Sequence, residues 1–583
     1  MFKLPSLNTL TESFLKTIVR YNWVVFIALL KLILLIWYIE TPHSDTITRN
    51  LLTRLSYVSF LSLPLFLAVL LIAERYHWKN RLKYGILAFI TGLLGVYYFY
   101  INQNPNQTDF YRFLLFMAGA HLAVSFSPFV KQNEPNGFWQ FNKTLFLQFL
   151  NATLYSTTLY LGLLIAVETV KFLFKIEFSF EIEMDLLLII FILFHTVFFL
   201  SKIPENVKAL DNQTDYPTGL KIFTQYVLLP LEVVYLVILY AYTARIIFQW
   251  QLPDGGVAYL VLAFSTAGIL ALLLLYPLRE NLKERWISIF SQRFYFALLP
   301  LIVLLGIGIF RRINDYGLTE NRYLVAVLAI WLAGITIYFL AAKRSDIRWI
   351  PISLSVISFL IAIGPWNLFT LAEKSQLRLF NEILSEHKLL NAKNKITGKA
   401  ILSKQKYNQL FSIVDFFKVR DKTAIAKYFL KLPADPNEGR YSNVMNDYLR
   451  KYVSFNGANS KDEFKNYSFY KATDKNISIE GFNQMMTFNA SDQDSGTNQS
   501  WQIKTEENEK IMTVYLNNEK VASWDLSTKI TELVAEYGNQ SDSVSPQHLS
   551  FEHTDAKNHV KVTLTDLSWN NRSYYYSGIL FYR

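Results

Sequence analysis

The sequence contains no cysteine, and this absence excludes several kinds of chemistry. A chain without thiols has no disulfide framework, no cysteine nucleophile and no cysteine-ligated metal site. Other catalytic patterns are missing too: there is no glycine-rich phosphate loop, no His-Glu-x-x-His pair and no Gly-x-Ser-x-Gly elbow. These absences weigh against an enzymatic activity, and no cofactor or metal ion is predicted.

Charged residues are few, at 18% of the chain, whereas apolar residues make up 52% and aromatic residues 16%. This balance is typical of a protein that lies partly in lipid. The formal net charge of +11 would suit nucleic-acid binding. However, the lysines and arginines concentrate in the connections between apolar segments, which indicates membrane topology instead. We therefore expect membrane lipid, and not nucleic acid, as a binding partner.

Long apolar segments occur only in roughly the first 365 residues, and a membrane-spanning helix needs about 20 such residues. The sequence predicts an α-helical polytopic membrane bundle over residues 21–366, preceded by an amphipathic helix within residues 1–20. The bundle has about eleven transmembrane helices by the same criterion. The candidate spans are residues 21–39, 55–73, 84–100, 111–130, 145–167, 184–200, 223–247, 257–277, 294–310, 323–341 and 350–364.

Lysine and arginine also predict the orientation of the bundle. One alternate set of connections, which includes residues 75–83, 279–293 and 343–348, is rich in them, and the other set is poorer and more acidic. Basic loops stay in the cytoplasm, so the N-terminus is predicted there. Eleven crossings of a bacterial inner membrane then place the C-terminal domain outside, in the periplasm. The first apolar segment has no small-residue cleavage site after it, so we expect a retained span and no signal peptide.

Polar residues inside the predicted spans are costly in lipid and are therefore functional candidates. Glu232 follows Pro230, which is expected to kink the helix, and the spacing places Glu232 on the same face as Gln225. In one interpretation these groups line a hydrated path with Glu232 as a proton or cation site. In the other, Lys31 and Glu232 pair in a packed bundle and each histidine bonds a backbone carbonyl. The candidates are Lys31, His121, His195, Gln225 and Glu232.

One predicted outer connection, residues 311–323, is unusually rich in charge. Part of it has a structural explanation: Gly317 suits a tight turn, Thr319 can cap the next helix, and Glu320 favours the positive end of that helix. The remaining charges predict either a site for a lipid phosphate or a docking point for the C-terminal domain, because arginine suits phosphate and carboxylate. The candidates are Arg311, Arg312, Asp315, Glu320 and Arg322.

The same connection contains the run Tyr-Gly-Leu-Thr-Glu-Asn-Arg-Tyr at 316–323. It follows a span with Leu-Leu-Pro at 298–300 and precedes Trp-Leu at 331–332 and Gly-Pro-Trp at 364–366. This pattern resembles a bacterial family of polytopic membrane proteins known only as a domain of unknown function, type 4153. The resemblance covers roughly residues 50–420 and implies an inner-membrane protein of many spans, without assigning any site residue.

The rest of the chain predicts a helical connector over residues 367–440 and a soluble α+β domain with an antiparallel sheet over residues 441–583. A helix is expected at 528–537. Alternating apolar residues predict strands at Ile477–Phe488, Trp501–Thr505, Lys510–Leu516, Val521–Leu526, Leu549–His553, Val560–Leu567 and Tyr574–Tyr582. A hairpin at 554–558 would bring His553 near His559, but two histidines without a third ligand are weak evidence for metal.

Three functions fit these features. The leading expectation is a scaffold or sensor of the bacterial envelope, whose outer domain binds a ligand or a partner protein. The first alternative is a proton-coupled or lipid-linked transporter that uses the polar residues inside the spans. The second is a membrane transferase acting on lipid-linked sugars, but the first outer loop, Glu40–Arg54, is short and has Glu40 and Asp45 as its only acids.

Overall fold

The structure is a computed structural model. It describes residues 7–175, 179–249, 256–279, 285–342, 346–420, 423–430, 441–455, 466–471, 479–489, 501–506, 510–537, 540–555, 557–570 and 574–583. The chain divides into two compact units, Met1–Val453 and Ser454–Arg583.

The first unit begins with the amphipathic helix α1 (Leu7–Arg20) and continues as a bundle of apolar helices. Among the described residues, ten helical runs are long and apolar enough to cross a membrane. This confirms the predicted polytopic bundle. The runs are α2 (Asn22–Glu40), α3 (Thr46–Arg75), α4 (Asn80–Tyr100), α5 (Gln107–Phe126), α6 (Pro135–Phe174), α7 with α8 (Phe180–Leu188, His195–Leu200), α9 with α10 (Thr218–Phe223, Leu229–Gln249), α11 (Val257–Leu274), α12 (Arg285–Tyr316) and α13 (Glu320–Ala341).

The eleventh predicted span is shorter than the others. α14 (Trp349–Ala362) has 14 residues, which corresponds to a length of about 21 Å. Its two ends are held at opposite ends of α5. Arg348 Nη1 donates to the Phe129 carbonyl just beyond α5 (3.0 Å), and Arg112 Nε in the first turns of α5 donates to the Ala362 carbonyl (3.3 Å). α14 therefore runs antiparallel to α5 over its whole length.

Two of the spans contain a π-helical turn, at Ile189–Phe194 and at Thr224–Leu228. The second turn directly precedes Pro230, where the sequence predicted a kink. Proline has no N–H and its ring crowds the preceding turn, and a wider π turn relieves that crowding. A π turn holds an extra residue and so shifts the positions that share a face. Gln225 is half-buried and Glu232 is buried, whereas Tyr226, Val227 and Leu231 between them are exposed, so the shared face stays a prediction.

The connector (Leu368–Val453) belongs to the same compact unit as the bundle. The helix over Tyr441–Arg450, which the sequence grouped with the soluble domain, packs here because Met445 and Leu449 lie in the apolar core of the connector. Other members of that core are Phe380, Ile383, Leu410 and Phe417. The connector elements are α15 (Leu368–Glu386), β1 (Ala400–Leu402), α16 (Lys404–Lys418), α17 (Thr423–Ala426) and α18 (Tyr441–Arg450), and β2 (Val453–Phe455) starts at its end.

The second unit is an α+β structure with mainly antiparallel sheets, as predicted. Its larger sheet has the order β4-β11-β10-β3-β8 with β9 also paired to β10, and a smaller sheet has the order β5-β6-β7. Only β3 and β8 pair in parallel among the described strands of this unit. The elements are β3 (Asn466–Lys471), β4 (Gln484–Asn489), β5 (Trp501–Glu506), β6 (Ile511–Leu516), β7 (Glu519–Asp525), α19 (Leu526–Tyr537), β8 (Gln540–Val544), β9 (Ser550–Thr554), β10 (His559–Asn570) and β11 (Tyr574–Tyr582).

Two details of this unit differ from the prediction. The strand expected over Ile477–Phe488 begins only at Gln484, because Gly481 adopts a φ of +88° in a turn; residues 477 and 478 lie outside the described residues. The predicted β9–β10 hairpin forms, but it pairs His553 with Val560 and His559 with Thr554. Because neighbouring residues of a strand point to opposite faces, the two imidazoles lie on opposite sides of the sheet.

Candidate functional site

The predicted outer connection over residues 311–323 is mostly helical. α12 continues to Tyr316 and α13 begins at Glu320, which leaves only residues 317–319 as a turn. We call residues 311–323 the α12–α13 corner. The connector packs directly against this corner. The predicted docking of the C-terminal domain at the corner stays a prediction.

Two amide side chains of the connector bind backbone carbonyl groups of the corner. Gln376 Nε2 on α15 donates to the carbonyls of Tyr316 (3.2 Å) and Leu318 (2.9 Å). Gln409 Nε2 on α16 donates to the Asp315 carbonyl (3.0 Å). Both glutamines are buried, and a buried carbonyl without a donor costs about 1–3 kcal/mol. These amides therefore satisfy polar groups that the docking of the connector removes from solvent.

A buried ion pair joins the same two parts. Arg420 Nε and Nη2 donate to the two carboxylate oxygens of Glu320 at 2.5 and 2.8 Å. Arg420 Nη1 donates to the Phe416 carbonyl (2.6 Å), and the guanidinium lies 3.9 Å from the centroid of the Phe416 ring. Glu320 is only 5% exposed. A two-point arginine–carboxylate contact of this kind fixes orientation as well as distance.

The turn itself shows why glycine occurs there. Gly317 has a φ of +71°, and a Cβ at this position would stand 3.0 Å from Gln376 Nε2. Glycine therefore provides both the left-handed backbone and the room for the connector. Thr319 occupies the N-cap position of α13 but makes no side-chain capping bond, so the predicted cap was wrong. The Leu318 N–H instead donates to Ser375 Oγ of the connector (2.9 Å).

The arginines of the corner have different surroundings. Arg322 Nη1 donates to the carbonyls of Tyr316 (2.9 Å) and Gly317 (2.8 Å), which closes the turn. Arg311 Nε lies 3.5 Å from a carboxylate oxygen of Asp315 one helical turn later. Arg312 is exposed. A lipid phosphate at these arginines stays a prediction.

The sequence did not single out the connector residues Ser375, Gln376, Gln409 and Arg420. The sequence could have identified the two glutamines, because each interrupts the apolar face of its helix. Gln376 lies four residues from both Ala372 and Phe380, which are buried on the same face of α15. A polar residue inside such a stripe requires a buried hydrogen-bonding partner, and the corner provides it.

The polar candidates inside the spans share no hydrogen bond or ion pair among the described residues, although α2, which carries Lys31, packs against α8, which carries His195. Lys31 Nζ on α2 lies 3.5 Å from the centroid of the Phe60 ring on α3, a cation–π contact. His121 is exposed on the bundle and its Nδ1 lies 2.8 Å from the Met117 carbonyl, as the packing interpretation predicted. His195 Nε2 lies 3.2 Å from the hydroxyl of Thr153. Among the described residues, no hydrogen bond of His195 to a backbone carbonyl is observed, so the packing interpretation is not met there.

Glu232 is the most deeply buried of these candidates. It is 3% exposed, and its Oε2 has no hydrogen-bond partner among the residues that the structure describes. Gln225 is half-buried within the π turn before it. Lys31 and Glu232 form no ion pair in the described part of the chain, so the predicted pairing is not observed.

Two other buried ion pairs were not predicted. Arg75 Nη2 at the end of α3 donates to both carboxylate oxygens of Glu134 at 2.6 Å. Asp109 on α5 lies 3.3 Å from Arg112 Nη1. Asp109 also forms a capping box with Asn106 at the start of α5, and this Asn-x-x-Asp spacing was readable from the sequence.

Comparisons with known proteins identify a family for this chain, but they assign it no activity. The chain is 26% identical over 408 residues to an uncharacterized protein of Pasteurella multocida (strain Pm70), an alignment that covers 67% of this chain and 66% of that protein. No solved structure matches the chain significantly. The family described as a domain of unknown function (DUF4153) matches residues 23–382, more than half of the chain. The protein therefore belongs to the DUF4153 family, as the run at 316–323 predicted.

Proposed function

We propose that the protein is a multi-pass protein of the bacterial inner membrane that acts as a scaffold or sensor. Its C-terminal domain then lies on the outer side and binds a ligand or a partner protein of the envelope. The family and the relative of Pasteurella multocida carry no assigned activity, so the proposal depends on the layout of the molecule and on the contacts of the connector.

The observation that carries this proposal is the way the connector is held on the bundle. Two buried glutamines, one serine and the Glu320–Arg420 pair fix α15 and α16 to the α12–α13 corner. A flexible linker would leave the part of the chain that follows free to reorient. A connector fixed by buried polar contacts instead transmits force or displacement between the bundle and the chain beyond it, which a sensor or a scaffold requires.

The orientation in this proposal has its own support. Basic residues favour the cytoplasm for the connections on the same side as the N-terminus. If α14 crosses the membrane alongside α5, the number of crossings is odd and the connector lies on the periplasmic side. The short length of α14 is compatible with a crossing because its ends are bonded to protein groups and not left in lipid.

The proposal is tested by capture of a partner. Cells that produce the full chain are treated with a membrane-permeant crosslinker, and the protein is purified from gently solubilised membranes for mass spectrometry. A chain that ends at Val453 is the matched control, since it retains the bundle and the connector. We expect a reproducible partner with the full chain and its loss with the shortened chain. Equal capture by both chains, or repeated absence of a partner, would contradict the proposal.

A further inference from the structure

Glu232 is a carboxyl group buried inside the bundle without an observed partner for one of its oxygens. It lies in the first turn of α10, is 3% exposed, and its Oε2 contacts no hydrogen-bond donor among the described residues. Buried polar groups are nearly always paired, and exceptions call for an explanation. A purely structural role would be served better by an apolar side chain at this position.

The neighbouring helices leave a space that fits this carboxyl group. Gly268 on α11 faces it, and a Cβ at position 268 would stand 3.1 Å from Glu232 Oε2. The same Cβ would stand 2.2 Å from two ring carbons of Phe294 on α12. The carboxyl group, the glycine and the phenylalanine ring therefore meet at one point, where the Phe294 ring lies over the carboxyl group.

Among the residues that the structure describes, no charged group that could neutralise an ionised Glu232 is placed at this point. α11 carries Tyr259 as its only titratable residue, two and a half turns from Gly268. On α12 the nearest are Arg293, which is exposed, and Tyr295, which stacks on Phe339 with ring centroids 4.8 Å apart. The π turn before α10 contributes Gln225 and the exposed Tyr226. Lys31 is held over Phe60 on other helices.

An isolated carboxylate in such a place is very costly, whereas a neutral carboxylic acid costs far less. The surroundings therefore favour a carboxyl group that holds a proton. The adjacent π turn at Thr224–Leu228 supports a functional reason, because single π turns within helices occur frequently at functional sites.

A cavity lies between the same helices, about one turn away from this point. Its volume is about 390 Å³. It reaches Leu272 on α11, one turn beyond Gly268, and Ser291 on α12, one turn before Phe294. Polar lining comes from Arg279, Ser291 and Gln292. Glu232, Gly268 and Phe294 are not among the residues that line it.

We propose that Glu232 is a proton-binding site inside the bundle, and that the ring of Phe294 covers it. This function is separate from the binding role proposed for the C-terminal domain. It assigns to the bundle a proton-linked step, such as proton-coupled movement of a solute or of the helices themselves, and it identifies Phe294 as the side chain that shields the carboxyl group.

The first test uses dicyclohexylcarbodiimide, an apolar reagent that adds to protonated carboxyl groups. The full chain in membranes is treated over a range of pH and mapped by mass spectrometry. We expect labelling at Glu232 that falls several-fold from mildly acidic to alkaline pH, and faster labelling in Phe294→Ala. Glu320, which is equally buried but paired with Arg420, is the internal control and should remain unlabelled. Absence of label at Glu232 in both chains, or label that does not change with pH, would overturn the proposal.

The second test does not depend on access of a reagent. Glu232→Gln has the shape of the protonated acid but no proton to release. If the folded protein holds a proton that the unfolded chain gives up, the stability of the natural chain falls as pH rises. We expect the two chains to unfold at similar temperatures at acidic pH and Glu232→Gln to unfold at a higher temperature at alkaline pH. Glu382→Gln, on the exposed surface of α15, should not change the profile. Parallel profiles of Glu232→Gln and the natural chain would also overturn the proposal.

Discussion

Glu320 and Arg420 show how strongly a buried charge depends on its partner. Replacement of Arg420 by methionine leaves Glu320, with 5% exposure, without its cation. Removal of one member of a buried pair costs roughly 3–5 kcal/mol, because the other charge stays buried and unpaired. We expect Arg420→Met to lower the unfolding temperature in mild detergent and to speed hydrogen exchange in α15 and α16 of the full chain.

Two further variants make this prediction specific. The double variant Glu320→Leu with Arg420→Met buries no charge, so it should regain most of the lost stability. Lys406→Met removes an ion pair with Glu386 that is exposed to solvent, and it should cause no measurable change. If Arg420→Met behaves like Lys406→Met, the pair does not hold the connector on the corner.

Gly317 gives a second prediction for a single residue. Alanine at this position must adopt a φ of +71°, and its Cβ would approach Gln376 Nε2 to 3.0 Å. The backbone strain alone costs roughly 1–2 kcal/mol. We expect Gly317→Ala to loosen the connector, measured as faster hydrogen exchange in α15. Gly334→Ala, within α13 and with open space around it, should be neutral or slightly stabilising. Equal effects of the two variants would argue against a special role of the turn.

The sequence predicted the residues of the corner better than their partners. The turn at Gly317 was predicted because glycine alone adopts its backbone conformation without strain. Arg420 was not, because nothing in a sequence shows which of its 57 lysines and arginines meets a given carboxylate. That pairing depends on the path of the chain across 100 residues between Glu320 and Arg420.

At the level of single elements, α19 depends on the residue that precedes it. Asp525 Oδ1 accepts hydrogen bonds from the Ser527 N–H (2.8 Å) and the Ser527 hydroxyl (2.6 Å). These bonds, the hydroxyl bond above all, hold the pKa of Asp525 below its usual range. Loss of such a cap costs about 1 kcal/mol. We expect Asp525→Ala to speed hydrogen exchange in α19 of the full chain at neutral pH.

The pH dependence of this effect has a defined sign. A carboxyl group whose pKa is lowered by folding contributes stability above its unfolded pKa and loses that contribution as pH falls through its folded pKa. The difference between Asp525→Ala and the natural chain should therefore be full at neutral pH and disappear in acid. Glu519→Ala, at the exposed start of β7, is the control and should have little effect at any pH. A difference that grows as pH falls would contradict the assignment of Asp525 as a cap.

Elements were predictable where their pattern was strong. β6 is rich in strand-forming residues and β10 alternates clearly, and both were predicted to within one to three residues of their bounds. In contrast β8, with the sequence Gln-Ser-Asp-Ser-Val, has low strand propensity and was missed. It forms a strand because it pairs with β3. The π turns were also missed, since a helix of lipid-facing residues has the same composition whether a turn is wide or regular.

For the whole molecule, the sequence predicted the order of the parts because hydrophobic length is a local property. Ten of the eleven predicted spans satisfy that criterion within the described residues. The exception, α14, has only 14 residues. Its ends are bonded to α5 and to the residues just beyond it, which lie more than 200 residues earlier in the chain. Whether such a helix crosses the membrane is therefore decided by packing and not by its own composition.

Reporter fusions on either side of α14 test this crossing. Alkaline phosphatase is active only outside the cytoplasm, and green fluorescent protein of the ordinary type fluoresces only inside it. We expect phosphatase fusions after Asn367 and after Arg583 to be active and a fusion after Ala342 to be inactive, with the reverse pattern for fluorescence. The reason is that α14, bonded to both ends of α5, would carry the chain to the opposite side. If fusions after Ala342 and Asn367 behave alike, α14 does not cross the membrane. Fluorescence of the fusion after Arg583 would place the C-terminal domain on the same side as the N-terminus.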